Sequence, residues 1–120
     1  MKRTLLIGIS CLLASAMIAS AAEGVIAEAM KTYHKGETAP CKAVAAGTAS
    51  SKELADILKA YQDMSAAKPA KGTTASWKQK CDALIVAVKE IQAKNPKGTG
   101  DYKKAVNCKA CHDVHKAPKA

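Results

Sequence analysis

From residue 24 onward, apolar side chains recur every three to four positions, and no stretch alternates apolar with polar in the manner of a strand. That period belongs to helices that bury one face, so the pattern predicts helices and no sheet. The first helix is expected from about Gly24 to Lys35, with Val25, Ile26, Ala29, Met30 and Tyr33 on one face and Gly36 as its stop. Residues 37–49 read as a linker with Pro40 and Gly47, in which Cys41 to Ala46 can form a short helical turn. The second helix is expected from about Ser51 to Ala67. Ser50 and Glu53 have capping-box spacing, and Leu54, Ile57, Leu58, Tyr61 and Met64 form the buried stripe. The third spans about Thr74 to Lys94 and holds helical spacing through Trp77, Cys81, Leu84, Ile85, Val88 and Ile91 until Asn95-Pro96 ends it. The fourth begins near Thr99 to Asp101, with Asp101 as N-cap, and carries Tyr102, Ala105, Val106, Cys108, Cys111 and His112. Four amphipathic helices with mostly short connections predict an all-α fold, an antiparallel four-helix bundle.

The segment before residue 23 has another character. Met1-Lys2-Arg3 is a positive start, Thr4 to Ile18 is an apolar run, and Ala19-Ser20-Ala21-Ala22 offers small residues for cleavage. This is the pattern of a secretory signal peptide, residues 1–22, leaving 23–120 as the mature domain. The run is short for a bilayer-spanning helix, so no stable membrane span is expected after cleavage. The expected compartment is the periplasm.

Composition narrows the picture further. There is no Phe, one Trp and three Tyr, while Ala is abundant, so the side chains supply little bulky filling for a core. A small domain furnished in this way gains from a cofactor or a crosslink. Removing the leader takes Lys+Arg from 19 to 17 against 10 acids, a net charge of +7, and every remaining cation is Lys. Lysine-only surfaces attract acidic partners at a distance and hold them loosely. Export, the lack of Arg and the lack of an aromatic-rich basic patch argue against nucleic acid.

The chemistry concentrates in Cys108-Lys109-Ala110-Cys111-His112. C-x-x-C-H is the attachment signature of c-type haem. Two thiols one helical turn apart add across the two vinyl groups on one porphyrin edge, and the adjoining His112 reaches the iron as proximal ligand. One covalent haem c is therefore expected. A thioredoxin-like pair would sit at a helix start after a strand, and the pattern has no strand. A zinc site drawing on Cys108, Cys111, His112 and Cys41 or Cys81 would lack the second paired set usual for structural zinc.

The sixth iron position decides between functions. Met30 lies on the apolar face of the first helix, and its thioether is a soft ligand that raises the reduction potential. It is the expected distal ligand. His34, at the exposed end of that helix, and Met64 are alternatives, as is an open site. His115 shares a helix with His112 and is not expected to reach the opposite haem face.

These residues, with C-x-x-C-H in the last helix of an exported all-helical chain, resemble the class II cytochromes c, which carry haem near the C-terminus of a four-helix bundle. Low-spin members of that family use a Met of the first helix as sixth ligand and transfer electrons. Cytochromes c prime leave the position open and bind nitric oxide or carbon monoxide. Met30 stands where the low-spin type places its ligand. The resemblance implies an electron carrier, monomeric or homodimeric, with gas binding as the alternative.

Cys41 and Cys81 remain once haem takes its pair, and in an oxidising compartment they are a candidate disulfide. Lys103, Lys104, Lys109 and Lys116 flank the attachment motif and suit docking of acidic redox-partner proteins. No Ser/His/Asp arrangement and no Gly-rich phosphate loop is visible, so the chain is expected to carry electrons and not to be an enzyme.

Overall fold

The structure, a computed structural model, describes residues 24–116. The expected signal peptide, residues 1–22, and its cleavage point lie outside the described residues. Among the described residues every regular element is helical and none is a strand.

Residues 24–29 form an α-helix that passes directly into a π-helical turn, Met30–His34, and the two together are α1. Gly36, in left-handed backbone at φ 95°, follows the turn and stops the helix as the pattern predicts. Only Ala29 of the expected α1 face is buried; Ile26, Met30 and Tyr33 are partly covered, and Val25 is exposed.

The linker is more ordered than its composition suggests. Pro40–Ala46 is a helix, α2, opened by Pro40 in its first turn and closed by Gly47. Proline needs no amide partner there and its fixed φ suits the start of a helix. Val44 carries α2 into the core at 0% exposure.

Helix α3, Ser51–Ala66, starts with the expected capping box. The Glu53 amide donates to Ser50 Oγ at 3.1 Å, and the Ser50 amide donates to Glu53 Oε2 at 2.7 Å. Leu54, Ile57, Tyr61 and Met64 are its buried stripe, with Leu58 half-covered. Helix α4, Thr74–Gln92, is capped by the Thr73 side chain and buries Trp77, Cys81, Leu84, Ala87 and Val88. Trp77 Nε1 donates to the Met64 carbonyl at 2.8 Å, tying the start of α4 to the end of α3. These two helices pack along each other and form the centre of the core.

The expected fourth helix is two helices. Helix α5, Gly98–Ala105, begins after Lys97, so Asp101 is not its N-cap but lies within its first turn. There Asp101 stands close to Glu90 of α4, whose carboxyl is pushed up first by lost solvation and then by this neighbour. Helix α6, Cys108–His115, begins anew after a break at Val106-Asn107. Asn107 takes extended backbone, and its side chain accepts from the Ala110 amide at 3.0 Å. An asparagine whose side chain caps the next turn competes well with continuing the helix through it. Helix α5 packs on α4 and α2, and buried Tyr102 carries it into the core.

Candidate functional site

The attachment sequence forms most of α6. Cys108 and His112 are exposed, Cys111 is half-buried, and all three line one groove of about 910 Å³. Its apolar lining includes Ile26 and Met30 of α1, Met64 of α3, Trp77, Cys81 and Leu84 of α4, and Val106. Clefts that bury a sizeable organic ligand run from roughly 300 to 1,000 Å³ and are mostly apolar with a few polar groups. This groove is at the large end of that range. It holds two thiols and one imidazole on a single helical turn, the donor set that C-x-x-C-H chemistry requires.

Helix α1 contributes Met30 and His34 to the same groove. Both lie in the π-helical turn, a local widening that often marks a functional position. The structure thus brings Met30 onto the groove that holds His112. It also corrects the expectation for His34. This residue is half-buried, and Tyr61 Oη is hydrogen-bonded to its Nε2 at 3.0 Å. Burial holds His34 below the ordinary imidazole range, and the charge of His112 adds to that effect, so the two imidazoles lie within electrostatic reach of each other. Tyr61 is bonded in turn to Tyr102 at 2.5 Å. A His34–Tyr61–Tyr102 chain therefore joins α1, α3 and α5 behind the groove. Burial and each other's proximity push Tyr61 well above the usual phenol range. The spacing of single residues gave no sign of this network, because its members lie 27 and 41 positions apart.

His115 has a structural role that the sequence pattern did not point to. It is buried at 4% exposure, and its ring edge meets Trp77 at 5.3 Å between centroids. Its Nδ1 lies 3.0 Å from the Lys71 carbonyl, so Nδ1 carries the hydrogen and donates. Nε2 then accepts from the Ser76 hydroxyl at 3.1 Å. Gly72 makes room for this contact: its φ is 84°, and a Cβ there would come within 2.6 Å of His115 Nδ1. His115 is thus the latch that fastens α6 to the 71–76 segment. Both of its nitrogens are engaged, which removes it from iron ligation for a firmer reason than helix sharing.

All four cysteines among the described residues are free thiols, so the candidate pair Cys41–Cys81 is unbonded in this structure. Each lies within electrostatic reach of a different member of the attachment pair. Burial raises the Cys41 thiol and the charge of Cys108 raises it further. Burial pushes Cys81 up to about 12, with Cys111 as the next cause. Burial likewise raises Cys111, against the pull of Lys80. Among the described residues no three His, Cys, Asp or Glu side chains gather as a metal cluster.

No helix among the described residues is long and apolar enough to cross a membrane. No family model, no curated protein and no solved structure matches this chain.

Proposed function

We propose that this chain is an exported c-type cytochrome that carries one covalent haem and passes single electrons between periplasmic partners. The observation that carries the reading is the place of Cys108, Cys111 and His112 together on one large apolar groove that also receives Met30 and His34. Cys108 and Cys111 would hold the macrocycle by thioethers, and His112 would be the proximal iron ligand. When bound, haem supplies a one-electron iron couple, whose potential follows from axial ligand and burial. Met30 is proposed as the distal ligand: it is half-buried, apolar and on the groove. Trp77, Leu84 and Ile26 keep water from the macrocycle. Helices α1, α3, α4 and α5 with α6 serve as an antiparallel four-helix bundle, as the class II resemblance implies.

His34 supports a second reading. An imidazole on the groove, fixed by Tyr61, is a ready hydrogen-bond donor to a small ligand on an open iron site. In that case the chain binds nitric oxide or carbon monoxide and Met30 is core filling.

The visible spectrum of the holoprotein, oxidised and reduced, with and without carbon monoxide, separates the two. Electron transfer predicts a low-spin spectrum unchanged by carbon monoxide. A high-spin spectrum that shifts with the gas transfers the assignment to gas binding.

A further inference from the structure

The His34–Tyr61–Tyr102 chain has no part in the electron-carrier reading. Tyr61 Oη lies 3.0 Å from His34 Nε2 and 2.5 Å from Tyr102 Oη, and both tyrosines are fully buried. The directions of the two bonds follow from the hydrogens available. Tyr102 has one hydrogen and, among the described residues, one partner, so it donates to Tyr61; turned the other way, its hydrogen would be buried without an acceptor. Tyr61 then donates to His34, so Nε2 accepts and the neutral ring carries its hydrogen on Nδ1. Burial, which holds His34 below the ordinary imidazole range, agrees with the neutral form. An oxidised phenol is so strong an acid that even this imidazole takes its proton. His34 also lines the groove. Resting on the haem reading for its oxidant, we infer that Tyr61 is a redox-active tyrosine, which gives an electron to the groove and its proton to His34.

The co-reactant is a hydroperoxide, which takes two electrons from the bound haem and two protons from water as it becomes an alcohol and water. Tyr61 returns one of those electrons. Its O–H bond breaks, an N–H bond forms at His34 Nε2, and a neutral phenoxyl radical remains beside an imidazolium. The redox partner returns the other electron. A further electron from that partner, with the proton handed back by His34, restores the phenol. Several features single out Tyr61. Burial pushes its hydroxyl well above the usual phenol range, so the proton leaves only together with the electron. Its ring lies 5.7 Å from that of His34 and 6.4 Å from that of Tyr102, between centroids, and contacts of that length are short for electron tunnelling. The hydrogen bond from Tyr102 stabilises the radical oxygen, which remains an acceptor. The other oxidisable rings lack a base. Trp77 Nε1 donates to a backbone carbonyl, and of the three tyrosines only Tyr61 is bonded to an imidazole among the described residues.

The test oxidises the ferric holoprotein with flash-generated ruthenium(III) tris-bipyridine and reads the trapped radical by electron paramagnetic resonance. The expected signal is a neutral tyrosyl radical, kept in Tyr33→Phe and lost in Tyr61→Phe. His34→Gln should slow its formation roughly 100-fold, the low end of what a positioned proton acceptor supplies. The parent's rate should fall in deuterium oxide, because the O–H bond breaks in the same step. With hydrogen peroxide, Tyr61→Phe should bleach the haem band severalfold faster than the parent, since the missing electron is then taken from the macrocycle. Tyr61→Phe keeps the ring and its packing; should it nonetheless fail to fold, His34→Gln, at a half-buried position, still decides. A radical on Tyr33, Trp77 or a sulfur would overturn the inference, as would a His34→Gln rate equal to the parent's or an unchanged rate of bleaching. The ruthenium oxidant acts on the chain with or without haem. If the exported protein carries no covalent haem by mass, the haem reading fails and the donor role toward haem with it, while the flash experiment still decides whether Tyr61 and His34 form a redox pair.

Discussion

His115, Met30 and His34 carry the tests at the scale of single residues. Replacing His115 by Ala removes two hydrogen bonds and an aromatic contact from a buried site, leaving the Lys71 carbonyl without its donor. The expected loss is about 2–3 kcal/mol of unfolding free energy, read by denaturant titration. Gly72→Ala should cost as much, because its Cβ meets His115 in strained backbone. Both variants should also lower the yield of haem-loaded protein, since α6 loses its latch. Met30→Ala should turn a low-spin spectrum into a high-spin one that binds carbon monoxide; an unchanged spectrum would pass the ligand role to His34. For His34 the sign of the pH effect follows from its lowered range in the folded state, against 6.5 unfolded. The unfolded chain then binds the extra proton more readily, so stability is complete above about 6.5 and declines as pH falls through that value. His34→Gln should flatten that part of the profile in denaturant titrations at several pH values.

At the scale of elements, the caps decide where helices begin. Ser50→Ala breaks the capping box of α3 and should cost about 1 kcal/mol, and Asn107→Ala should cost α6 a similar amount. Thermal unfolding followed by circular dichroism checks both. These elements also show what could be read from the chain alone. The α3 and α4 stripes were legible because long helices with one buried face repeat their pattern over several turns, and Leu54, Ile57, Tyr61, Trp77, Cys81 and Leu84 are buried as expected. The break at Asn107 was not, because a cap depends on whether one side chain turns back to its own backbone. Asp101 illustrates the converse: a good capping residue placed within a helix beside Glu90. The attachment triad is legible as a local string. His34, Tyr61 and Tyr102 meet only through tertiary packing, and periodicity carries no information on which faces meet.

At the scale of the molecule, the core has few bulky side chains and a large apolar groove beside it. A bound macrocycle would complete that core. A double Cys108→Ala/Cys111→Ala variant should therefore lose about 3–5 kcal/mol, the cost of deleting a large buried aromatic side chain. Charge acts on the same scale. With 17 Lys against 10 acids in the mature domain, and Lys103, Lys104, Lys109 and Lys116 around α6, encounters with an acidic redox protein should slow as salt rises. Stopped-flow reduction at increasing ionic strength measures this, and a rate independent of salt would remove the docking role from these lysines.

The account stands most directly on covalent attachment, and the intact mass of the exported protein tests it. After denaturation and alkylation without reductant, the account predicts the chain from residue 23 plus one haem and two alkyl groups, on Cys41 and Cys81. A bare chain with four alkylated cysteines would contradict it.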